Sequence, residues 1–94
     1  MSEIRREVEG SKGRYVAEVD GLTAELTYSI ASPSLVIADH TGVPDEIRGT
    51  GVGLRLVERL VADARSEGFK IMPLCPFVNA QRRRHPDWAD VFAR

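Results

Sequence analysis

The chain has 94 residues, with 43% hydrophobic and 29% charged residues and a formal net charge of −1. That length sets one domain with a modest core as the expectation, and the near-neutral charge points to neither nucleic-acid nor membrane-surface binding. One cysteine, Cys75, excludes an internal disulfide and fits a reducing compartment. No apolar run approaches the ~18 residues of a membrane-spanning helix. Met1 to Gly10 is charged and lacks the apolar stretch of a secretory signal, so the cytoplasm is the expected location.

In chain order, Met1 to Lys12 is polar, with Ile4 to Val8 reading as a short edge strand and Gly10 to Gly13 as a turn. Tyr15, Ala17 and Val19 alternate with Val16 and Glu18. Asp20-Gly21 then gives a two-residue hairpin signal. Leu22, Ala24, Leu26, Tyr28 and Ile30 follow at period two against Thr23, Glu25, Thr27 and Ser29, the pattern of a strand with one face on a core. Ser32-Pro33-Ser34 breaks it, and Leu35 to His40 reads as a central strand.

A helix is predicted from Gly51 or Val52 to Glu67. Leu56, Val57, Leu60, Val61 and Ala64 form its apolar stripe, Arg55, Glu58, Arg59 and Asp63 take the other side, and Gly68 ends it. Lys70 to Pro76 reads as a short buried strand parallel to the one leaving at Val43, with Pro73 interrupting the ladder. Phe77 to Arg84 is a candidate helix, and Pro86-Asp87-Trp88 opens another short one. Strands, helix, strand, helix make an α/β (α+β) fold: a mixed, mostly antiparallel sheet, one βαβ unit and a short C-terminal helical segment, with residues 1–94 as one domain and residues 1–12 poorly determined.

The segment Val43 to Gly53 carries the chemistry. Gly49, Gly51 and Gly53 immediately precede the helix, where unpaired N–H groups and the positive dipole end suit a phosphate or pyrophosphate. A Walker-type loop needs Gly-Lys-Ser/Thr, but Leu54 follows Gly53. A dinucleotide fingerprint needs G-x-G-x-x-G in an early βαβ unit, but the spacing here is G-x-G-x-G after an antiparallel meander. What remains is Arg48-x-x-Gly51-x-Gly53.

That pattern resembles the acyl-coenzyme-A motif of the GNAT superfamily of N-acetyltransferases. A wider set of blocks resembles its small, domain-minimal branch: His40-Thr41-Gly42-Val43-Pro44, then Arg48 to Gly53, then Met72 to Val78 with Pro73-Leu74-Cys75-Pro76-Phe77, then Arg84 to Trp88. The resemblance runs from about Tyr15 to Phe92. It implies a minimal GNAT-like fold and an acyltransferase that uses acetyl-CoA as donor and an amine as acceptor, with no metal. It also implies that the backbone of Arg48, Gly49, Thr50, Gly51, Val52 and Gly53 holds the pyrophosphate. Thr41, Gly42 and Val43 then run beside the pantetheine, and the strand Ile71 to Cys75 splays away to leave a slot for the thioester.

Cys75 is in that family the suspected acyl acceptor; the alternatives here are a nucleophile or a residue that lines the slot. Direct transfer needs only a base or a neutral amine, plus a donor for the oxyanion. His40 is a candidate base, because histidine suits proton transfer near neutral pH; as an alternative it is a strand residue satisfied by its neighbours. Arg83 or Arg84, in the run Arg82-Arg83-Arg84, is a candidate for the 3′-phosphate of coenzyme A, and Asn79 for the pantetheine or pyrophosphate. The chain departs from full-size relatives in having a hairpin where they carry acceptor-site helices. It also has Gln81 where the small family leads us to expect an aromatic. The acceptor is therefore open between a protein amine and a small amine, the assembly between a monomer and a weak dimer. A non-catalytic acyl-CoA-binding or sensing module is the alternative function.

Overall fold

In the computed structural model, which describes residues 4–93, the alternating segments build one five-stranded sheet in the order β1-β2-β3-β4-β5. The strands are β1 Ile4–Glu9, β2 Lys12–Val19, β3 Leu22–Ser32, β4 Leu35–Gly42 and β5 Lys70–Pro73. The first four form an antiparallel meander, and β5 joins β4 in parallel after the crossover helix α1, Val52–Glu67. Helix α2, Pro76–Arg84, and a 3-10 segment, Pro86–Val91, follow. Beyond them Phe92 bridges Ile71, and Ala93 N–H donates to the Ile71 carbonyl at 2.8 Å, covering the outer edge of β5.

The hairpin between β2 and β3 turns on Asp20 (φ 51°) and Gly21 (φ 77°). Two successive positive φ angles match the right-handed twist of the flanking strands. Helix α1 stops at Gly68, which holds φ 81° and returns its N–H to the Ala64 carbonyl. The turn expected over Gly10 to Gly13 is tighter than the sequence indicated. Lys12 and Gly13 already belong to β2, and Gly13 is buried opposite Tyr28. The strand expected to reach Pro76 ends at Pro73, its last pair with β4 being Ala38↔Pro73.

One sheet face carries the core. Tyr15, Ala17, Ala24, Leu26, Tyr28, Val36 and Ala38 are buried beneath Leu56, Val57, Leu60, Val61 and Ala64 of α1, with Ile71, Val78, Trp88 and Phe92 closing the cluster. Removing these side chains from water is the main term favouring the fold. Asp63 does not lie on the wet side of α1 as its spacing suggested. Its carboxylate, 17% exposed, accepts from Tyr15 Oη at 2.8 Å, from Arg6 at 3.3 Å and from Arg59 at 3.2 Å. Arg6 also donates to Tyr28 Oη at 2.9 Å and pairs with Glu67. This polar cluster ties the edge strand β1 to α1. Burial, reinforced by the Asp63 hydrogen bond, pushes the Tyr15 phenol above its ordinary range, so it remains a donor.

Candidate functional site

The chain leaves β4 at Gly42, passes Val43 and Pro44, makes a single 3-10 turn at Asp45–Ile47 and enters α1 at Val52. Ile47 is buried and pins this turn to the core. The turn is closed by its own polar groups: Thr50 Oγ1 donates to the Ile47 carbonyl at 2.7 Å, and Arg48 pairs with Asp45 at 2.8 Å. Gly49 (φ 94°) and Gly51 (φ 84°) occupy left-handed backbone, which a side chain would strain.

Gly51 is the N-cap of α1 and supplies no side-chain cap; the first intrahelical bond runs from Arg55 N–H to the Gly51 carbonyl. Among the described residues, no acceptor takes the N–H groups of Gly49, Gly51, Val52, Gly53 or Leu54. Acidic residues, which commonly occupy a first helical turn, are absent from that of α1. These five residues line a cleft of about 530 Å³. Thr41 and Val43 form its β4 wall, Ile47 to Gly49 its turn, Gly51 to Leu54 its helical end, and Phe77 of α2 its lid. A cleft ending in free donors at a helix start is the arrangement that holds a phosphate.

A β-bulge decides which β4 side chains face this cleft. Tyr28 pairs with Ala38, but Thr27 pairs with His40, leaving Asp39 as an extra residue whose carboxylate accepts from Ser29 Oγ at 2.6 Å. Directly opposed residues share a face. Thr41, opposite fully buried Leu26, therefore lies on the core face, and His40, opposite Thr27, lies on the other. His40 is exposed, and its ring lies toward Gly42 on that outer face.

β4 and β5 part just beyond Ala38↔Pro73. Pro73 has no N–H to continue the ladder. Leu74 N–H folds back to the Met72 carbonyl at 3.1 Å, and Cys75 N–H reaches the Ala38 carbonyl at 2.9 Å. Cys75 is thereby the N-cap of α2, 3% exposed, with Sγ 3.2 Å from Thr41 Oγ1.

Of the residues singled out in the sequence, Thr41, Val43, Arg48, Gly49, Gly51, Val52 and Gly53 converge on one cleft. Gly42 and Thr50 belong to its backbone run without lining it. Cys75 lies behind Thr41, and His40 lies on the opposite sheet face. Asn79 Oδ1 accepts from Arg82 at 2.9 Å, and neither it nor the exposed Arg83 and Arg84 lines the cleft. Gln81, the departure noted in α2, is buried. Phe77, Ile47 and Leu54 belong to the site without having been singled out; the aromatic after Cys75-Pro76 was the available signal for Phe77. Among the described residues, no group of three His, Cys, Asp or Glu is placed to hold a metal ion.

Comparison with known proteins agrees with this fold. Residues 14–91 match the family described as GCN5-related N-acetyl-transferase. The solution structure of a GCN5-like candidate N-acetyltransferase from Staphylococcus aureus superposes with TM-score 0.71 at 30% identity, over 99% of this chain and 91% of that one. A ribosomal-protein-alanine N-acetyltransferase from Brucella melitensis biovar Abortus 2308 shares the fold, with TM-score 0.61 at 21% identity over 89% of this chain and 65% of that one. No curated protein sequence matches significantly. The chain, with its meander, its single crossover and its glycine turn into α1, belongs to the GCN5-related N-acetyltransferase family and is an acyltransferase of that class.

Proposed function

We propose that the chain binds acetyl-CoA in the Thr41–Phe77 cleft and passes the acetyl group directly to an amine acceptor. The observation that carries this is the set of unclaimed amides of Gly49, Gly51, Val52, Gly53 and Leu54, residues that line the cleft, since a diphosphate supplies the acceptors those donors lack. Val43, Ile47, Val52, Leu54 and Phe77 give the cleft an apolar wall suited to the methylenes of a pantetheine arm. In the transfer, the amine lone pair attacks the thioester carbonyl and the C–S bond breaks. The departing thiolate takes the proton that the nitrogen gives up.

Direct transfer is favoured over a covalent relay because Cys75 is 3% exposed and outside the cleft lining, with Thr41 in front of it. Intact-mass spectrometry during turnover with acetyl-CoA and a lysine-containing peptide checks this. The expected result is acetylated peptide with no acetyl adduct on Cys75. Cys75→Ser, which keeps the contact with Thr41, is expected to lose less than about threefold in kcat/KM, whereas loss of a true nucleophile costs on the order of 10³-fold or more. An adduct that forms and decays at the turnover rate would replace direct transfer with the covalent route. The same burial of Cys75, with His40 on the opposite face, favours a second reading of binding without turnover. Tight coenzyme A binding with no product from any amine would establish it.

A further inference from the structure

We infer that Thr41 sets the length of acyl group the cleft accepts, limiting it to two carbons. The inference rests on the acetyl-CoA reading above and adds to it the residue that fixes donor specificity. The cleft has an order along β4. Gly49, Gly51, Val52, Gly53 and Leu54 line it at the start of α1, and back along β4 the lining passes Val43 and finishes at Thr41. Beyond Thr41 the space between the strands is closed. Cys75 N–H ties back to the Ala38 carbonyl, and Cys75 Sγ touches Thr41 Oγ1 at 3.2 Å. No carbon fits between two heavy atoms at that separation.

The pair sits in packed core: Leu26, opposite Thr41 on β3, and Ala38 are fully buried, and Cys75 is 3% exposed. A longer acyl chain cannot advance without displacing packed core, and overfilling a packed site is unfavourable. Thr41 cannot easily swing aside, because a β-branched side chain in a strand has restricted χ1 freedom. The bulge at Asp39 is what turns this residue inward. Without it, His40 would stand at the end of the slot.

Calorimetric titration with coenzyme A, acetyl-CoA and butyryl-CoA tests the inference without needing an acceptor. The wild type is expected to bind butyryl-CoA at least ~10-fold more weakly than acetyl-CoA, the scale on which one or two methylenes are discriminated. Thr41→Ala is expected to shrink that gap below ~3-fold, whereas Thr41→Val, which keeps the shape and loses the hydroxyl, retains it. Thr41→Ser, lacking only the methyl, is expected to narrow the gap as well and serves if the alanine variant does not fold. Equal wild-type affinities for the two thioesters, or an alanine variant with the gap intact, would overturn the inference while leaving the acetyl-CoA reading in place. Absence of binding by coenzyme A itself would remove both.

Discussion

Gly13→Ala is expected to destabilise the protein by about 3 kcal/mol or more, at the upper end of overpacking effects. Gly13 sits in regular β2 backbone, so the cost is steric rather than conformational. A Cβ at that position would lie 2.3 Å from Tyr28 Cζ and 2.7 Å from Cε2. The tyrosine ring crosses the space that the missing side chain leaves, and it cannot retreat cheaply. Tyr28 is fully buried, its hydroxyl accepts from Arg6 at 2.9 Å, and Tyr15 packs 5.4 Å away, centroid to centroid. Moving Tyr28 would also loosen the Arg6–Asp63–Glu67 link that holds β1 to α1. For a domain of 94 residues, about 3 kcal/mol corresponds to a fall of more than ~12 °C in Tm. Thermal and urea unfolding of the variant measure it. A loss below about 1 kcal/mol would mean that the ring does not lie over Gly13 in solution.

Gly53→Val is expected to separate ligand binding from folding. A Cβ on Gly53 would lie 3.0 Å from Phe77 Cζ and 3.5 Å from Val43 Cγ2, both of which line the cleft. The branched side chain therefore grows into the space between the α1 amides and the α2 lid. Stability should change by less than about 1 kcal/mol, because leaving glycine in a helix favours folding while the push on a partly exposed Phe77 opposes it. Affinity for coenzyme A should fall at least ~10-fold, equivalent to about 1.4 kcal/mol. Calorimetry beside a thermal melt reads both quantities. Undiminished affinity in a folded variant would place the ligand elsewhere.

The elements that could be read from the sequence are those whose signal is local. Period-two alternation in Leu22 to Ile30 and the Asp20-Gly21 pair specify a strand and its hairpin, and the stripe from Leu56 to Ala64 specifies α1, because each reports one buried face. The glycine turn was legible because left-handed backbone and a helix start both leave a mark in residue type. The bulge at Asp39 leaves no such mark. Simple alternation from Val36 and Ala38 carries His40 to the core face and Thr41 to the outer one, whereas the inserted residue exchanges them. That exchange separates His40 from Cys75 and places Thr41 between the cysteine and the cleft. Asp63 was misread for a related reason. Its helical position lies off the apolar stripe, and only the approach of Tyr15 and Arg6 from distant strands gives its carboxylate partners. For Phe77 the aromatic after Cys75-Pro76 was the one local signal, and its place over the cleft emerges only once α2 folds back over Gly53.

The central claim is that the free amides at the start of α1 grip the diphosphate of coenzyme A. Its most direct test is titration of ¹⁵N-labelled protein with coenzyme A, following the amide resonances. The account predicts saturable shifts largest at Gly49, Gly51, Val52, Gly53 and Leu54, with Gly10, Gly21 and Gly68, whose left-handed turns lie outside the cleft, little changed. Saturable shifts confined to the β1–β2 end of the sheet, around Glu9 and Lys12, or no saturable shift at the five amides, would contradict it.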